Sequence, residues 1–282
     1  MKYFPFTSNR FEHQFGIRAI PAGETIVEAT DLYANEIQQK RQQLDRDTNS
    51  YFAATPDSLM AQREAAAMIG NAASFLTPDH NDLIDEPIEI DDTAPLLSIS
   101  QHVQEDLAIM SGNADAGFPL IAGSICFPNG WSVTEKLGQS LLAIHSPVPE
   151  YASVLHAATE RLMNALRSNR PVWRMNWGIR PSEQLDQSTI HISMLDTARQ
   201  RITAENAGET CWFRVERQTL AQLPSTKAVL FTIHTHQCPL DELTRSQKET
   251  LRGVLQSCPV ETLKYKGIYP MLDAVTTFLK ST

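Results

Sequence analysis

The chain is short of several things that carry familiar chemistry. It has four cysteines in 282 residues, Cys126, Cys211, Cys238 and Cys258, and no two form a CxxC pair. That scatter argues against a disulfide framework or a cysteine-rich zinc site, so reduced thiols are expected. No run of about 18 uncharged apolar residues, the length a spanning helix needs, occurs anywhere. The opening stretch MKYFPFTSNRFEHQFG lacks the continuous apolar core of a secretory signal, and a cytoplasmic location is expected. Positive charge is scarce too: 24 Lys and Arg stand against 33 Asp and Glu, a formal net charge of −9. Such a surface repels phosphate backbones and anionic bilayers unless a local basic patch overrides the mean, and none is visible. Neither a nucleic-acid nor a membrane partner is expected. Walker loop, GxGxxG turn, GxSxG elbow, HExxH helix and EF-hand loop are all missing, so nucleotide-phosphate, α/β-hydrolase and zinc-protease chemistry have no motif support.

What is present is an ordinary globular composition, 42% hydrophobic and 20% charged, sufficient for a sizeable core. The front reads as helical. DLYANEIQQKRQQL sets Tyr33, Ile37 and Leu44 at helical spacing, and Thr55-Pro56 announces a second, alanine-rich helix through SLMAQREAAAMIGNAASFL. The acidic run DLIDEPIEIDD, broken by Pro87, reads as a solvated connection, with an acidic docking face as the functional alternative. HVQEDLAIM reads as a short amphipathic helix, AGSICFPNGW as a strand ending in a Pro-Asn-Gly turn, and LLAIH as an apolar strand stopped by Pro147 and Pro149. YASVLHAATERLMNALR carries one helical stripe of Tyr151, Leu155, Ala158, Leu162 and Leu166.

Three strands are expected at PVWRMNWGI, CWFRVER and KAVLFTIHTH, with helices closing the chain. Strand side chains alternate between faces, so each strand has one polar side. Aligned in one sheet, those sides would assemble Arg174, Asn176, Arg214, Glu216, His234 and His236. This is either a wet solvent face or the floor of a ligand pocket. The stretch FTIHTHQC adds a metal reading, because His234, His236 and Cys238 share a side. Same-face neighbours on one strand stand about 7 Å apart, however, too far for two to bind one ion without distortion. His145 is a separate candidate. A neutral imidazole offered from a rigid apolar wall suits an axial ligand to haem iron, and equally suits a histidine hydrogen-bonded to backbone.

CFPNGWSVTEKLGQSLLAIHSPVPE, then VWRMNW, then FRVERQTLAQLPSTKAVLFTIHTH resemble the family of haem-dependent oxidative N-demethylases, the haem subunit of dimethylamine monooxygenase-like proteins. GIRAI, DLYANEIQQKRQQL and VQEDLAIM fit the same layout, so the resemblance covers most of the chain. It implies an α+β fold, a PAS-like antiparallel sheet flanked by N-terminal and C-terminal helices. One domain over 1–282 is expected, with a helical part at about 1–95 packed on a PAS-like core at about 96–282. It also implies haem b and oxidation by O2 of a methyl group on a small secondary, dimethylamine-like amine, with release of formaldehyde. Electrons would come from separate flavin and iron-sulfur partner proteins. The motifs carry over to Glu135, Lys136 and Gly138 in EKLG, His145 in IHSPVP, Arg174, Asn176 and Trp177 in RMNW, and Arg214, Glu216, Arg217 and Gln218 in RVERQ.

On this reading His145 is the iron ligand, Arg174 and Glu216 are catalytic, and Asn176 stands near the cofactor. Lys136 and Arg214 face the haem propionates. In that family FTI is usually followed by arginine and then Thr-Tyr or a similar pair, whereas His234 and His236 stand at those positions. Either imidazole is then expected near the cofactor, even as a second iron ligand. A non-catalytic haem sensor, or a small-molecule-binding protein on the same fold, is the alternative function.

Overall fold

The computed structural model describes residues 1–13, 16–21, 23–73 and 90–281. Most of DLIDEPIEIDD, and with it the expected connection and docking face, lies outside the described residues. The N-terminal segment meets the sheet as the short strand β1 (Arg18–Ala19). The first expected helix is α1 (Tyr33–Tyr51), with Tyr33, Ile37 and Leu44 buried, and it runs directly into β2 (Phe52–Ala54). Thr55-Pro56 starts a 3-10 turn that becomes α2 (Leu59–Ala73), whose Ala61, Ala65, Ala66 and Ile69 are buried. Then come α3 (Pro95–Ser100), β3 (Asp106–Met110) and β4 (Leu120–Ser124), and the chain turns at Gly130 with φ 80°.

Two assignments made from the sequence are corrected here. HVQEDLAIM holds strand β3 rather than a helix. All five residues of β3 are buried, so its pattern carries no period to read. LLAIH is not a strand but the helix α5 (Leu141–His145), preceded by α4 (Val133–Lys136). Ser140 decides the matter: its Oγ accepts from the Ala143 N–H at 3.3 Å, an N-cap that the apolar run concealed. The expected helix from Tyr151 is a wider π-type turn at Tyr151–Leu155 followed by α6 (His156–Ala165). The remaining elements are β5 (Val172–Arg180), α7 (Ile192–Gln200), α8 (Ala207–Thr210), β6 (Trp212–Gln222), β7 (Val229–Pro239), α9 (Arg245–Ser257), α10 (Val260–Tyr265) and α11 (Leu272–Ser281).

Among the described residues, seven strands form one antiparallel sheet in the order β1-β5-β6-β7-β3-β4-β2. Both edges come from the first part of the chain, and the long hairpin β6-β7 lies at the centre. Helices or loops cover both faces. On one, Met110, Leu120 and Leu220 pack with Val133, Leu141, Met163 and Leu166 from the α4 to α6 region. On the other, Ile179, Phe213 and Val215 pack with Leu251, Val254 and Val275 of the C-terminal helices, and Leu107, Ile109 and Leu230 with Ala65 and Ile69 of α2. Each large apolar side chain so enclosed contributes about 1.5–3 kcal/mol.

Candidate functional site

The register of the hairpin divides the residues expected on one polar face. Glu216 pairs with Thr235 and Arg217 with His234 across β6-β7, while Asn176 pairs with Glu216 across β5-β6. Paired residues share a face. Arg174, Asn176, Arg214 and Glu216 therefore point to the α4 to α6 side, with Gln218 and Thr235. His234 and His236 point to the opposite side, with Arg217 and Trp177. The two imidazoles do not join the face expected to hold the cofactor, and the sheet stands between them and the His145 side. Cys238 shares their side but belongs to the apolar cluster around Phe213 and Leu240, and burial pushes its thiol up to about 11.

On the first face Glu216 is the organising group. It is 6% exposed and accepts from Asn129 Nδ2 (3.1 Å) on Oε1 and from Asn176 Nδ2 (3.2 Å) and Gln218 Nε2 (2.9 Å) on Oε2. Burial alone would raise its pKa, but Arg214 and these amides outweigh that and hold the carboxyl below its ordinary value. Arg214 is fully enclosed. Its Nη1 donates to the Leu185 carbonyl (2.7 Å), and its Nη2 to the Phe127 carbonyl and Thr235 Oγ1. Both terminal nitrogens of Arg214 are thus engaged within the protein, beside the Glu216 carboxylate. Lys266, from the turn after α10, donates to the Trp177 carbonyl (2.7 Å) and Asn176 Oδ1 (3.3 Å) and brings a further positive charge beside the carboxylate.

His145 closes α5. Its Nδ1 lies 2.9 Å from the Leu141 carbonyl and its ring stacks on Tyr151 at 4.6 Å. Burial depresses its pKa and nearby Arg174 and Lys136 depress it further, so the neutral ring dominates at pH 7. Arg174 is half-buried near the Glu216 carboxylate and the neutral Tyr151 phenol, and Lys136 Nζ donates to the Ile144 carbonyl (3.4 Å). Gly138, with φ 77°, lets the chain leave α4 and donate its N–H to Leu120 (2.8 Å), the physical need behind the glycine of EKLG. His145, Lys136, Arg174, Asn176 and Glu216 are thus on one side of the sheet.

The opposite face carries a second polar cluster. Glu28, from the segment before α1, places Oε1 2.8 Å from His236 Nε2 and 3.3 Å from His234 Nδ1. Glu105 Oε1 lies 3.2 Å from the same His234 nitrogen. A cleft of about 380 Å3, lined by charged side chains including Arg245, Glu249, Arg252 and Lys280, lies among the C-terminal helices and belongs to neither cluster.

A family model described as haem-dependent oxidative N-demethylase, alpha subunit-like, matches residues 16–276. The chain belongs to this family. The match spans both polar clusters and every strand. For a demethylase-like chain the sequence reading missed several residues that complete the Glu216 face. Asn129 was visible only as the turn-former of Pro-Asn-Gly, and Lys266 only as part of a helix end. Gln218 was noted within RVERQ without a role. Glu28, Glu36 and Glu105 lie in unpatterned or helical segments far from β7 in sequence, and nothing local marks their convergence.

Proposed function

We propose that this demethylase-like chain binds haem b through His145 on the face built around Glu216, and that it oxidises a methyl group of a small secondary amine. The observation that carries the reading is the state of His145. With its Nδ1 proton donated to the Leu141 carbonyl, the neutral ring keeps Nε2 as a lone-pair donor, the arrangement that metal-bound histidines adopt. Ile144, Met163, Leu166, Leu220 and Phe231 belong to one apolar cluster on this side of the sheet, the kind of surround a macrocycle needs, and Lys136 offers a cation for a propionate. The donor set therefore fits the cofactor that the family name implies. When bound, haem supplies the oxygen-activating and electron-accepting chemistry that side chains lack.

The protein's own groups bind and orient. Glu216, kept ionised, attracts the ammonium form of the amine and holds Arg174 charged; Arg174 fixes the polar end of the reacting pair. Asn176, Asn129 and Gln218 keep the carboxylate in place. The net reaction takes a secondary amine, O2, two electrons and two protons to the shortened amine, formaldehyde and water. Electrons come from separate flavin and iron-sulfur proteins, in keeping with an alpha subunit-like chain and with cysteines that lack cluster spacing. The five strands β4-β3-β7-β6-β5, with helices linking β4 to β5 over one face, support the PAS-like description and a single domain over 1–282. Free cysteines and redox partners of this kind are in keeping with a cytoplasmic site of action.

Hemin titration followed by ferric, ferrous and carbon monoxide spectra tests the reading. A one-to-one Soret complex that takes up carbon monoxide is expected, because His234 and His236 face away from His145. His145→Ala should abolish or severely weaken that complex, and an unchanged spectrum and stoichiometry would remove His145 as the ligand.

A further inference from the structure

The cluster on the other face of the sheet is built from donors of the kind that hold a transition metal. Glu28 Oε1, His234 Nδ1 and His236 Nε2 lie within 4.8 Å of one another. In a tetrahedral zinc site with bonds of about 2.0–2.1 Å, neighbouring ligand atoms stand about 3.3 Å apart. The 2.8, 3.3 and 3.2 Å separations among Glu28, His236, His234 and Glu105 are of that size before any adjustment.

Two buried atoms of this cluster have no hydrogen-bond partner among the protein groups. His234 is 1% exposed, and its Nδ1 makes no hydrogen bond of sound geometry although two carboxylates flank it. Glu105 is fully buried, and its Oε2 is likewise without a partner. Buried polar atoms of this kind are uncommon and call for an explanation. Glu28, Glu36 and Glu105 all converge on His234. Among the described residues, the one lysine or arginine ion pair these three acids make is Lys2 to Glu28 Oε2, at 2.7 Å. Lys40 is turned to backbone carbonyls and to Asp106. A divalent cation would neutralise the excess carboxylate charge and satisfy the imidazole at once.

The groups one step out are arranged accordingly. Lys2 and the Tyr3 hydroxyl hold Glu28 Oε2, leaving Oε1 turned to the histidines. The far nitrogen of His234, Nε2, faces Glu36 Oε2 at 3.8 Å, and Gln104 Nε2 donates to that same oxygen at 2.5 Å. At 3.8 Å the Glu36 carboxylate acts on the imidazole by charge rather than by a hydrogen bond, and a carboxylate so placed behind a ligating histidine raises its basicity. Glu105 Oε1 accepts the Glu28 N–H at 2.8 Å, tying the fourth candidate to the first.

We infer that Glu28, His234 and His236, with Glu105 completing the set, bind one zinc ion or a similar divalent transition metal as a buried structural site. The ion ties the N-terminal segment and the start of β3 to β7, the central strand. It lies across the sheet from the proposed cofactor face and does not depend on that assignment.

The test uses untagged full-length protein, haem-free and haem-loaded. Metal content is measured by plasma mass spectrometry, and the chelator-stripped chain is titrated with zinc sulfate against a chromophoric competitor. One zinc per chain is expected in both forms, with an X-ray absorption edge showing nitrogen and oxygen ligands, imidazole scattering and no sulfur. Zinc should also raise the melting temperature. Glu36→Gln, which removes only the outer carboxylate, should weaken zinc about 10–100-fold. Glu28→Gln and His236→Gln should weaken it further while keeping the native circular dichroism. Absence of stoichiometric zinc binding overturns the inference, as does zinc that survives both ligand substitutions in folded protein or a first shell containing sulfur.

Discussion

Glu216→Gln probes the cofactor face most directly, and its cost can be worked out from the geometry. The carboxylate takes three amide N–H bonds and sits among the charges of Arg214, Arg174 and Lys266. Glutamine keeps the shape but must set its amide nitrogen against one of those donors. The less costly orientation uses the Oε1 position, which faces the Asn129 amide, because Oε2 serves both Asn176 and Gln218. Asn129 can then turn over, since its Oδ1 is buried without a partner and would accept the new N–H. The hydrogen bonds are recoverable, so the loss is electrostatic.

Stranding buried charge by removing its partner costs about 3–5 kcal/mol, and the partial exposure of Arg174 and Lys266 favours the lower end. About 3 kcal/mol corresponds to a roughly 150-fold change in the unfolding constant. Equilibrium urea unfolding of the haem-free chain, followed by tryptophan fluorescence, measures it. The folded-state pKa of Glu216 lies below the ordinary 4.5. Its stabilisation is therefore complete above that value and is lost as pH falls through the folded-state pKa. The gap between wild type and variant should be flat near neutrality and shrink in acid. A gap under about 1 kcal/mol at pH 7, or one that widens on acidification, would refute the view of Glu216 as counter-charge to this face. In haem-loaded protein the same variant should retain the cofactor and lose amine turnover; undiminished demethylation would remove Glu216 from the reaction.

Two further outcomes follow from the packing. Burial pulls Lys266 down to about 8 against the attraction of Glu216, from an ordinary 10.5. The unfolded chain then holds that proton more tightly, so wild-type stability should rise between about pH 8 and 10.5, and Lys266→Met should lose that slope. An unaltered slope would mean that Lys266 is hydrated. Gly253→Ala should destabilise by about 1–3 kcal/mol, although alanine is ordinarily worth about 1 kcal/mol more than glycine inside a helix. Its Cβ would run into the Asn9 carbonyl where the N-terminal segment crosses α9. A higher melting temperature without new proteolysis near Asn9 would contradict that contact.

Much of the framework was legible from local signals. Thr55-Pro56, the Pro-Asn-Gly turn and the alternating β5, β6 and β7 segments all declared themselves, because caps, turns and period-2 patterns act over a few residues. His145 was expected at the end of an apolar strand and stands instead at the end of a helix. An apolar wall beside it is present, yet Ser140 makes that wall a helix, and only the cap residue could have shown it. The metal-like cluster was half visible in HTHQC. The two histidines do share a face, as alternation requires, but their acidic companions come from Glu28, Glu36 and Glu105. The expected third member, Cys238, packs into apolar core. Ligands assembled across so many residues leave no spacing to read.

The division of the polar residues between two faces has a more exact cause. The hairpin loop runs from Leu223 to Ala228, so Gln222 pairs with Val229 and Glu216 with Thr235. A loop one residue longer or shorter would shift the pairing by one position and bring His234 onto the face of Arg214 and Glu216. Hydrophobic alternation could not arbitrate, because every residue from Phe213 to Ala221 is buried and both faces are covered. On such a strand polar residues mark internal sites on either side, not the side facing water. RVERQ illustrates this: Arg214, Glu216 and Gln218 build the proposed cofactor face. Between them Arg217 reaches the other way, donating to the Thr25 carbonyl at 2.9 Å and anchoring the segment that delivers Glu28 to the histidines. One strand thus sets the geometry of both clusters, and a change in its loop length would disorganise both together.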